Sequence, residues 1–210
     1  MNSRGVLTIV SGFSGVGKGT LINKLLEKYD NYALSVSATT RSMRPGEKEG
    51  KSYFFMSVDE FENKIHQNEL LEYAKYVDNY YGTPRKYVEE MLENGKDVLL
   101  EIEIQGARQV KKLMPEALTI FVMPPSAATL KQRLVGRNTE SSDVINERLK
   151  RAVIESQGIE EYDCILVNDN LEKSVERLND IIQSSHNQSF RNMNFIEKIR
   201  KDVNIFSEGE

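Results

Sequence analysis

Residues 12–20 read Gly12-Phe13-Ser14-Gly15-Val16-Gly17-Lys18-Gly19-Thr20 and directly follow the apolar run 6–10, Val6-Leu7-Thr8-Ile9-Val10. An apolar strand, a glycine-rich turn and a helix-length segment in this order are typical of a phosphate-binding loop. Glycines let the backbone curl so that successive N–H groups point at one anion, and the helix adds the positive end of its dipole. Because Lys18 can then reach the outer phosphates, the stretch predicts a nucleotide-binding protein rather than a chance glycine-rich turn.

One position of the loop departs from the usual pattern, because Gly19 follows the lysine and the hydroxyl comes one residue later, at Thr20. The apolar run 98–104 carries Glu101 and Glu103, and the two-residue spacing predicts that both carboxylates share one face of a strand. An acid at the end of a buried strand beside a phosphate loop suits Mg²⁺, bound directly or through water. We therefore predict Thr20 and Glu101 as magnesium ligands; the alternative is a pair of structural carboxylates bonded to backbone or arginine.

The composition is that of an ordinary globular chain, with 210 residues, 39% hydrophobic and 29% charged. A net charge of −4 implies no general affinity for nucleic acid. There is no signal peptide and no apolar run of 18 residues, so we expect a cytoplasmic protein without a membrane partner. The single cysteine, Cys164, lies in an apolar run and is interpreted as a small core residue rather than a nucleophile.

Positive charge is concentrated in two segments, 38–52 and 128–152. In the first, Arg41 and Arg44 are three residues apart in a turn-like stretch and can fork onto one phosphate. Beside a phosphate loop elsewhere in the chain, this spacing favours a second phosphate site. The second segment surrounds a polar loop, 136–142, which we interpret as a mobile flap whose arginines close over phosphates; surface solubility is an equally weighted alternative. Its cations are Lys131, Arg133, Arg137, Arg148, Lys150 and Arg151.

Strand-like and helix-like segments alternate along the chain, which predicts a parallel sheet covered by helices. The predicted strands are 6–10, 98–104, 118–123 and 164–167, and the predicted helices are 18–29, 105–114, 127–135, 143–157 and 171–185. Residues 37–94 break this rhythm and predict a small mixed α/β insertion. Within it, 57–60 form a capping box, Thr83-Pro84 are predicted to start a helix, and Asn94-Gly95 to end it. From His186 onward we predict one amphipathic helix that packs back on the body.

Taken together, the motifs resemble those of the guanylate kinase family over nearly the whole chain. The matching segments are, in order, 12–20; 37–46 with 50–55; 69–74 with 79–83; 100–107; 130–140 with 146–152; and 167–169. The resemblance implies an α/β fold: a phosphate-loop kinase core with a parallel sheet flanked by helices, a small mixed α/β lobe that binds GMP, and a helical lid. It places the core in 1–36, 96–127 and 153–185, the lobe in 37–95, the lid in 128–152 and a helical tail in 186–210.

The resemblance also implies roles for individual residues. The ATP-binding set is Gly12, Ser14, Gly15, Val16, Gly17, Lys18, Gly19, Thr20 and Asn168, the last where the family positions the ATP base. The GMP phosphate is held by Arg41, Arg44, Tyr53 and Tyr81. Guanine is read by Ser37, Glu72 and Thr83, with Glu103 also in the GMP-binding set. The catalytic set is Lys18, Arg41, Arg44 and the lid arginines Arg133, Arg137 and Arg148.

The implied activity is phosphoryl transfer from Mg²⁺-ATP to GMP, with dGMP as a further acceptor. A monophosphate already supplies an anionic oxygen nucleophile, so positioning and charge neutralisation suffice and no strong protein base is needed. One alternative is a non-catalytic binding module of the same fold, against which the retained Gly17, Lys18, Arg41 and Arg137 argue. The other is a kinase for a different monophosphate, against which Glu72 argues.

Two residues depart from the family pattern. Glu103 stands where family members commonly carry Asp, and Phe13 stands where proline is usual in the phosphate loop. Neither change removes a reacting group.

Overall fold

The computed structural model describes residues 4–76, 78–136 and 142–207. Its main sheet has five parallel strands in the order β2-β7-β1-β8-β9, and a second, four-stranded sheet has the order β4-β3-β6-β5. The strands are β1 (Leu7–Gly12), β2 (Tyr32–Leu34), β3 (Ala38–Thr39), β4 (Phe54–Phe55), β5 (Leu70–Tyr76), β6 (Asn79–Pro84), β7 (Asp97–Glu101), β8 (Leu118–Met123) and β9 (Cys164–Val167). The helices are α1 (Lys18–Lys28), α2 (Val58–His66), α3 (Arg85–Glu93), α4 (Ile104–Leu113), α5 (Ala127–Val135), α6 (Ser142–Glu155), α7 (Leu171–Ser185) and α8 (Met193–Asn204).

Strand β1 lies at the centre of the main sheet because it is apolar on both faces. Leu7 and Ile9 pack into a buried cluster that includes residues of α3 and α4. Val10 packs into the larger cluster on the opposite face, as does Val6 just before the strand, together with residues of α1 and α7. Two faces covered by helices explain why this strand is a continuous apolar run rather than an alternating one.

The second sheet is mixed, since β3 pairs with β4 in parallel and with β6 in the antiparallel sense. Its own small core contains Ala38, Phe61 and Leu70. The capping box predicted at 57–60 is confirmed at the start of α2: Ser57 and Glu60 bond to each other's backbone N–H groups. Within the described ranges, no helix is long and apolar enough to cross a membrane.

The predicted elements of the main sheet are confirmed to within two residues of their bounds, with one exception. The strand predicted over 98–104 ends at Glu101, where its pairing with β1 also ends. Beyond that point the carbonyl of Ile102 accepts a hydrogen bond from the Ser11 hydroxyl (2.7 Å), and Glu103 is the residue that caps α4. The prediction that Glu101 and Glu103 share one strand face is therefore wrong.

The start of α3 also differs from the prediction. Thr83 lies inside β6, the helix begins at Arg85, and Pro84 occupies the cap position without a side-chain bond. The Thr83 hydroxyl instead donates a hydrogen bond to the buried carboxylate of Glu72. A buried carboxylate without a donor would cost more free energy than a helix end without a side-chain cap. The predicted end of α3 is confirmed, with Asn94 at the cap and Gly95 at φ +77°.

The tail forms the predicted helix, α8, but the prediction that it packs back on the body is wrong. Polar contacts anchor the segment that precedes it: Arg191 Nη2 donates to the Glu116 carbonyl (2.7 Å), and Asn192 Nδ2 to the His186 carbonyl (2.8 Å). No residue of α8 is buried, and Phe206 beyond it is 85% exposed. Cys164 lies half-buried against the main cluster, where burial raises the pKa of its thiol, as suits a small core residue.

Candidate functional site

The phosphate loop connects β1 to α1 at the carboxyl-terminal ends of the parallel strands of the main sheet. Gly17 caps α1 with φ +95°, a left-handed conformation that glycine adopts without strain. A Cβ at this position would also lie 2.9 Å from Asn168 Nδ2, so the loop has no room for another residue there. The sequence pattern is thus confirmed as a tight turn that opens a helix.

Lys18 is folded over its own loop. Its Nζ donates hydrogen bonds to the carbonyls of Gly12 (2.6 Å) and Phe13 (3.2 Å). Burial lowers the pKa of Lys18 below its usual value. Three carboxylates oppose that shift with their charge: those of Glu101, Glu155 and Glu103. The ammonium group is therefore a cation held ready for an anionic ligand at the mouth of the loop.

Two predicted site residues, Asn168 and Arg133, donate hydrogen bonds to the backbone of the phosphate loop. The Val16 carbonyl accepts hydrogen bonds from Asn168 Nδ2 (2.9 Å) and from Arg133 Nη1 (3.0 Å). The other arm of Arg133 donates to the Asn168 carbonyl (2.8 Å). The structure thus places the Arg133 guanidinium against loop backbone, where it fixes the loop conformation.

Of the other arginines that were predicted to belong to a lid, Arg148 on α6 also reaches the loop, and its Nη1 donates to the Ser14 hydroxyl (3.2 Å). Arg137 lies outside the described residues, as does most of the polar loop that was predicted to be a flap.

A cavity of about 310 Å³ lies between the loop and the end of β7. Its lining includes Lys18, Gly19, Thr20 and Glu101. Burial raises the pKa of Glu101, while the charge of Lys18 works against that shift. A Cβ added to Gly19 would lie 3.7 Å from Glu101 Oε2, so the carboxylate faces the first turn of α1. A hydroxyl and a carboxylate on one cavity are oxygen donors of the kind that Mg²⁺ prefers, and the residues present fit that ion.

Within the described ranges, no group of three or more His, Cys, Asp and Glu side chains could hold a metal by itself.

Glu72, on β5, is the central residue of the predicted guanine site. It is only 8% exposed, and Thr83 donates its hydroxyl proton to Oε1 at 2.7 Å. Its Oε2 would be 3.0 Å from a Cβ on Gly106, so the carboxylate lies against the first turn of α4. Burial raises the pKa of Glu72, the Thr83 hydrogen bond opposes the shift, and the charge of Glu103 adds to it. Ser37 precedes β3, and its carbonyl accepts from the Phe54 N–H (2.9 Å).

Three of the predicted acceptor-phosphate residues, Arg41, Tyr53 and Tyr81, lie together beside the second sheet. The Arg41 guanidinium lies 5.3 Å from the ring centroid of Tyr53, and the rings of Tyr53 and Tyr81 are 6.0 Å apart. Arg41 also makes a two-pronged ion pair with Glu47 (3.0 and 2.7 Å), which raises the pKa of Arg41 and lowers that of Glu47. The Arg44 side chain is exposed, and its backbone N–H donates to the same carboxylate (2.7 Å). The Glu47 carboxylate thus binds the Arg41 side chain and the Arg44 backbone, and it fixes both residues in one turn.

A cleft of about 680 Å³ extends from the phosphate loop to Tyr53. Residues of the phosphate loop line one side of it, and Tyr53 reaches it from the second sheet. Its wall also carries Glu101, Glu103, Arg151 and Glu155. Sequence reasoning did not identify Glu47, Arg151 and Glu155 as residues of the site. The i, i+4 spacing of Arg151 and Glu155 on a helix was the sequence signal that could have indicated their ion pair.

The structure and the sequence were compared with known proteins. The family model described as guanylate kinase matches residues 4–185. The chain is 49% identical over 202 residues to a guanylate kinase of Oceanobacillus iheyensis, covering 96% of this chain and 98% of the relative. It is 50% identical over 186 residues to a guanylate kinase of Lactococcus lactis subsp. lactis, covering 89% and 91%. A crystal structure of guanylate kinase from Anaplasma phagocytophilum superposes with a TM-score of 0.70 at 36% identity, covering 90% of each chain.

Proposed function

The chain belongs to the guanylate kinase family and phosphorylates GMP with ATP as the donor, and we propose that it does so in the cleft between the phosphate loop and the second sheet. The observation that carries this proposal is that one cleft is lined both by Lys18 of the loop and by Tyr53 of the second sheet. Phosphoryl transfer needs the donor and the acceptor in line within one water-poor space, and this cleft offers both binding sides.

On the donor side, the loop backbone and Lys18 bind the ATP phosphates, and Asn168 lies beside the ATP base. Bound with ATP, Mg²⁺ would be held by Thr20 and Glu101, directly or through water, and would supply charge neutralisation on the phosphates. Support for this arrangement comes from the cavity that Thr20 and Glu101 share with the loop.

On the acceptor side, Glu72 accepts hydrogen bonds from the two adjacent N–H donors of guanine, and the Ser37 hydroxyl donates to O6. The Thr83 hydroxyl, which donates to Glu72 Oε1 in this structure, would have to turn from Glu72 to donate to O6 on binding. Support comes from the burial of Glu72, since a buried carboxylate with a single donor among the described residues retains acceptor capacity for a ligand. Glu103, at the cap of α4, belongs to the same side of the cleft.

The phosphate of GMP is bound by Arg41 and Arg44 with the hydroxyls of Tyr53 and Tyr81. Before GMP arrives, Glu47 occupies the Arg41 fork and keeps that side chain against the Tyr53 ring. A phosphate can replace a carboxylate in the fork because both accept two parallel N–H bonds.

We further propose that residues 128–152 act as a lid whose arginines, Arg133, Arg137 and Arg148, neutralise charge on the transferring group. Arg133 would have to leave the Val16 and Asn168 carbonyls, to which it donates in this structure, when the lid closes. Residues 37–95 form the GMP-binding lobe, and the remaining parts up to 185 form the core. Both substrates are cytoplasmic nucleotides, and we propose the cytoplasm as the place of action.

The proposal is tested by steady-state assays with Mg²⁺-ATP and a panel of acceptors. GMP and dGMP are expected to be phosphorylated, with kcat/KM for AMP, UMP and dTMP lower by about a thousandfold or more because each leaves the guanine-binding groups unpaired. Turnover of another monophosphate at a rate comparable to that of GMP would contradict the assignment of the base site.

Replacing Arg148 by alanine is expected to lower kcat by about a hundredfold while changing the KM for GMP only a few-fold. An arginine that meets the phosphates on lid closure stabilises the transition state more than the bound substrate. The measurement is kcat and KM under saturating ATP. Lys150→Ala serves as the control, because Lys150 is an exposed cation on the same helix that pairs only with Glu147 in the described contacts. An unchanged kcat in Arg148→Ala would make Arg148 a surface residue.

A further inference from the structure

Arg151 on α6 joins two carboxylates with one guanidinium group. Its Nη2 contacts Glu103 Oε2, and its Nε donates to Glu155 Oε1 at 3.2 Å. Glu155 lies four residues later on the same helix, but Glu103 caps α4 on the far side of the cleft. The planar fork of arginine suits such bridging, which a lysine would make with a single point charge.

Glu103 is electrostatically coupled to the guanine-reading carboxylate. Glu72 Oε2 lies against Gly106, in the first turn of the helix that Glu103 caps. The negative charge of Glu103 raises the pKa of Glu72, that is, it disfavours the ionised form that guanine requires. A cation placed on Glu103 weakens this repulsion.

We propose that Arg151 is a positioning residue for GMP: it ties the lid helix α6 to Glu103 and balances the charge of Glu103 beside Glu72. The inference rests on the proposed function of Glu72 as the guanine reader. Arg151 itself does not contact the reacting phosphates in this arrangement. Its ion pair is with Glu103, on the acceptor side, although its charge also acts on Lys18 of the phosphate loop. Arg151 is therefore expected to act more strongly on GMP than on ATP.

The pair is largely solvent-exposed, with 44% of the Arg151 side chain and 71% of the Glu103 side chain accessible. Exposed ion pairs contribute little to the stability of the fold. Arg151 also pairs with Glu155, whose side chain is only 16% exposed, so Arg151→Ala is expected to lower the thermal midpoint of unfolding modestly. The kinetic effect can be separated from this loss because only the kinetic effect should depend on Glu103.

The test is a double-mutant cycle with Arg151→Ala, Glu103→Gln and the double variant, assayed for KM of GMP, KM of ATP, kcat and thermal midpoint. Arg151→Ala is expected to raise the KM for GMP about three- to fivefold, as suits an exposed pair, and to change the KM for ATP less. In the Glu103→Gln background the same substitution should have no further effect, because the charge that Arg151 balances is gone. Arg151→Lys, which keeps the charge, should recover at least half of the loss, and Lys150→Ala should match wild type.

Three results would overturn the proposal. One is an unchanged KM for GMP in Arg151→Ala, or a KM for ATP that rises equally. Another is the same effect of Arg151→Ala with and without Glu103. The third is an Arg151→Lys variant as impaired as Arg151→Ala. Failure of the proposed function would look different, because Glu72 variants would then retain their preference for GMP whatever Arg151 does.

Discussion

Replacing Lys18 by methionine is expected to lower kcat by about a thousandfold or more while leaving the fold intact. The Lys18 ammonium lies on the carbonyls of Gly12 and Phe13, at the point where the loop meets the cleft. A charge placed there acts on the transferring phosphates in the transition state more than on bound ATP. Methionine keeps a flexible apolar stem of similar length, so the packing along α1 is retained.

The measurement is kcat with GMP and Mg²⁺-ATP, accompanied by circular dichroism and thermal unfolding to establish that the variant is folded. Lys24→Met is the matched control, because Lys24 lies on the same helix and pairs only with the exposed Glu27 in the described contacts. A folded Lys18→Met enzyme that turns over within a few-fold of wild type would remove the loop lysine from the mechanism.

Replacing Glu72 by glutamine is expected to remove most of the preference for GMP over AMP. Guanine presents two adjacent N–H donors, N1 and the 2-amino group, and one carboxylate accepts both. Adenine presents a lone pair at N1 and lacks the amino group, so Glu72 would face repulsion and an unmet acceptor. A site built on such bonds rejects the analogue by about 10⁴. Glutamine has only one acceptor oxygen, so it cannot accept hydrogen bonds from both guanine N–H groups as the carboxylate does.

The measurement is the ratio of kcat/KM for GMP to that for AMP, in wild type and in Glu72→Gln. Glu69→Gln is the control, because Glu69 precedes the same strand but is exposed and paired with Lys64. A ratio that the Glu72 substitution leaves unchanged would sink the assignment of Glu72 to guanine.

The same carboxylate gives GMP binding a pH dependence of known sign. Guanine needs the ionised form, and burial raises the pKa of Glu72 above the ordinary value for a glutamic acid. Affinity for GMP should therefore fall as the pH is lowered, and it should begin to fall at a higher pH than an ordinary glutamate would give. The test compares the Kd of GMP from pH 7 to pH 5 in wild type and in Glu72→Gln. The variant retains only the titration of the GMP phosphate itself, so any additional pH dependence in wild type comes from Glu72.

Much of this molecule could be predicted from sequence because its strongest signals are local. Only glycine adopts the turn at Gly17 without strain, and the capping box at Ser57 needs only four consecutive residues. The apolar runs of β1 and β8 are continuous because helices cover both faces of the sheet. Each of these features is decided by neighbours along the chain or by burial alone, so the pattern of residue types predicts it.

The partners of the polar side chains were decided only by the tertiary structure. Glu103 was predicted on a strand, but β7 ends where β1 stops pairing with it, and the carboxylate then meets Arg151 from 48 residues away. Thr83 was predicted as a helix cap, but the buried Glu72 takes its hydroxyl. The tail was predicted to pack on the body, yet no residue of its helix α8 is buried. Sequence by itself determined the phosphate loop and the sheet that carries it. Which charges pair across the cleft depended on elements distant in the chain, because a polar group takes the nearest partner in space, and sequence spacing does not encode that distance.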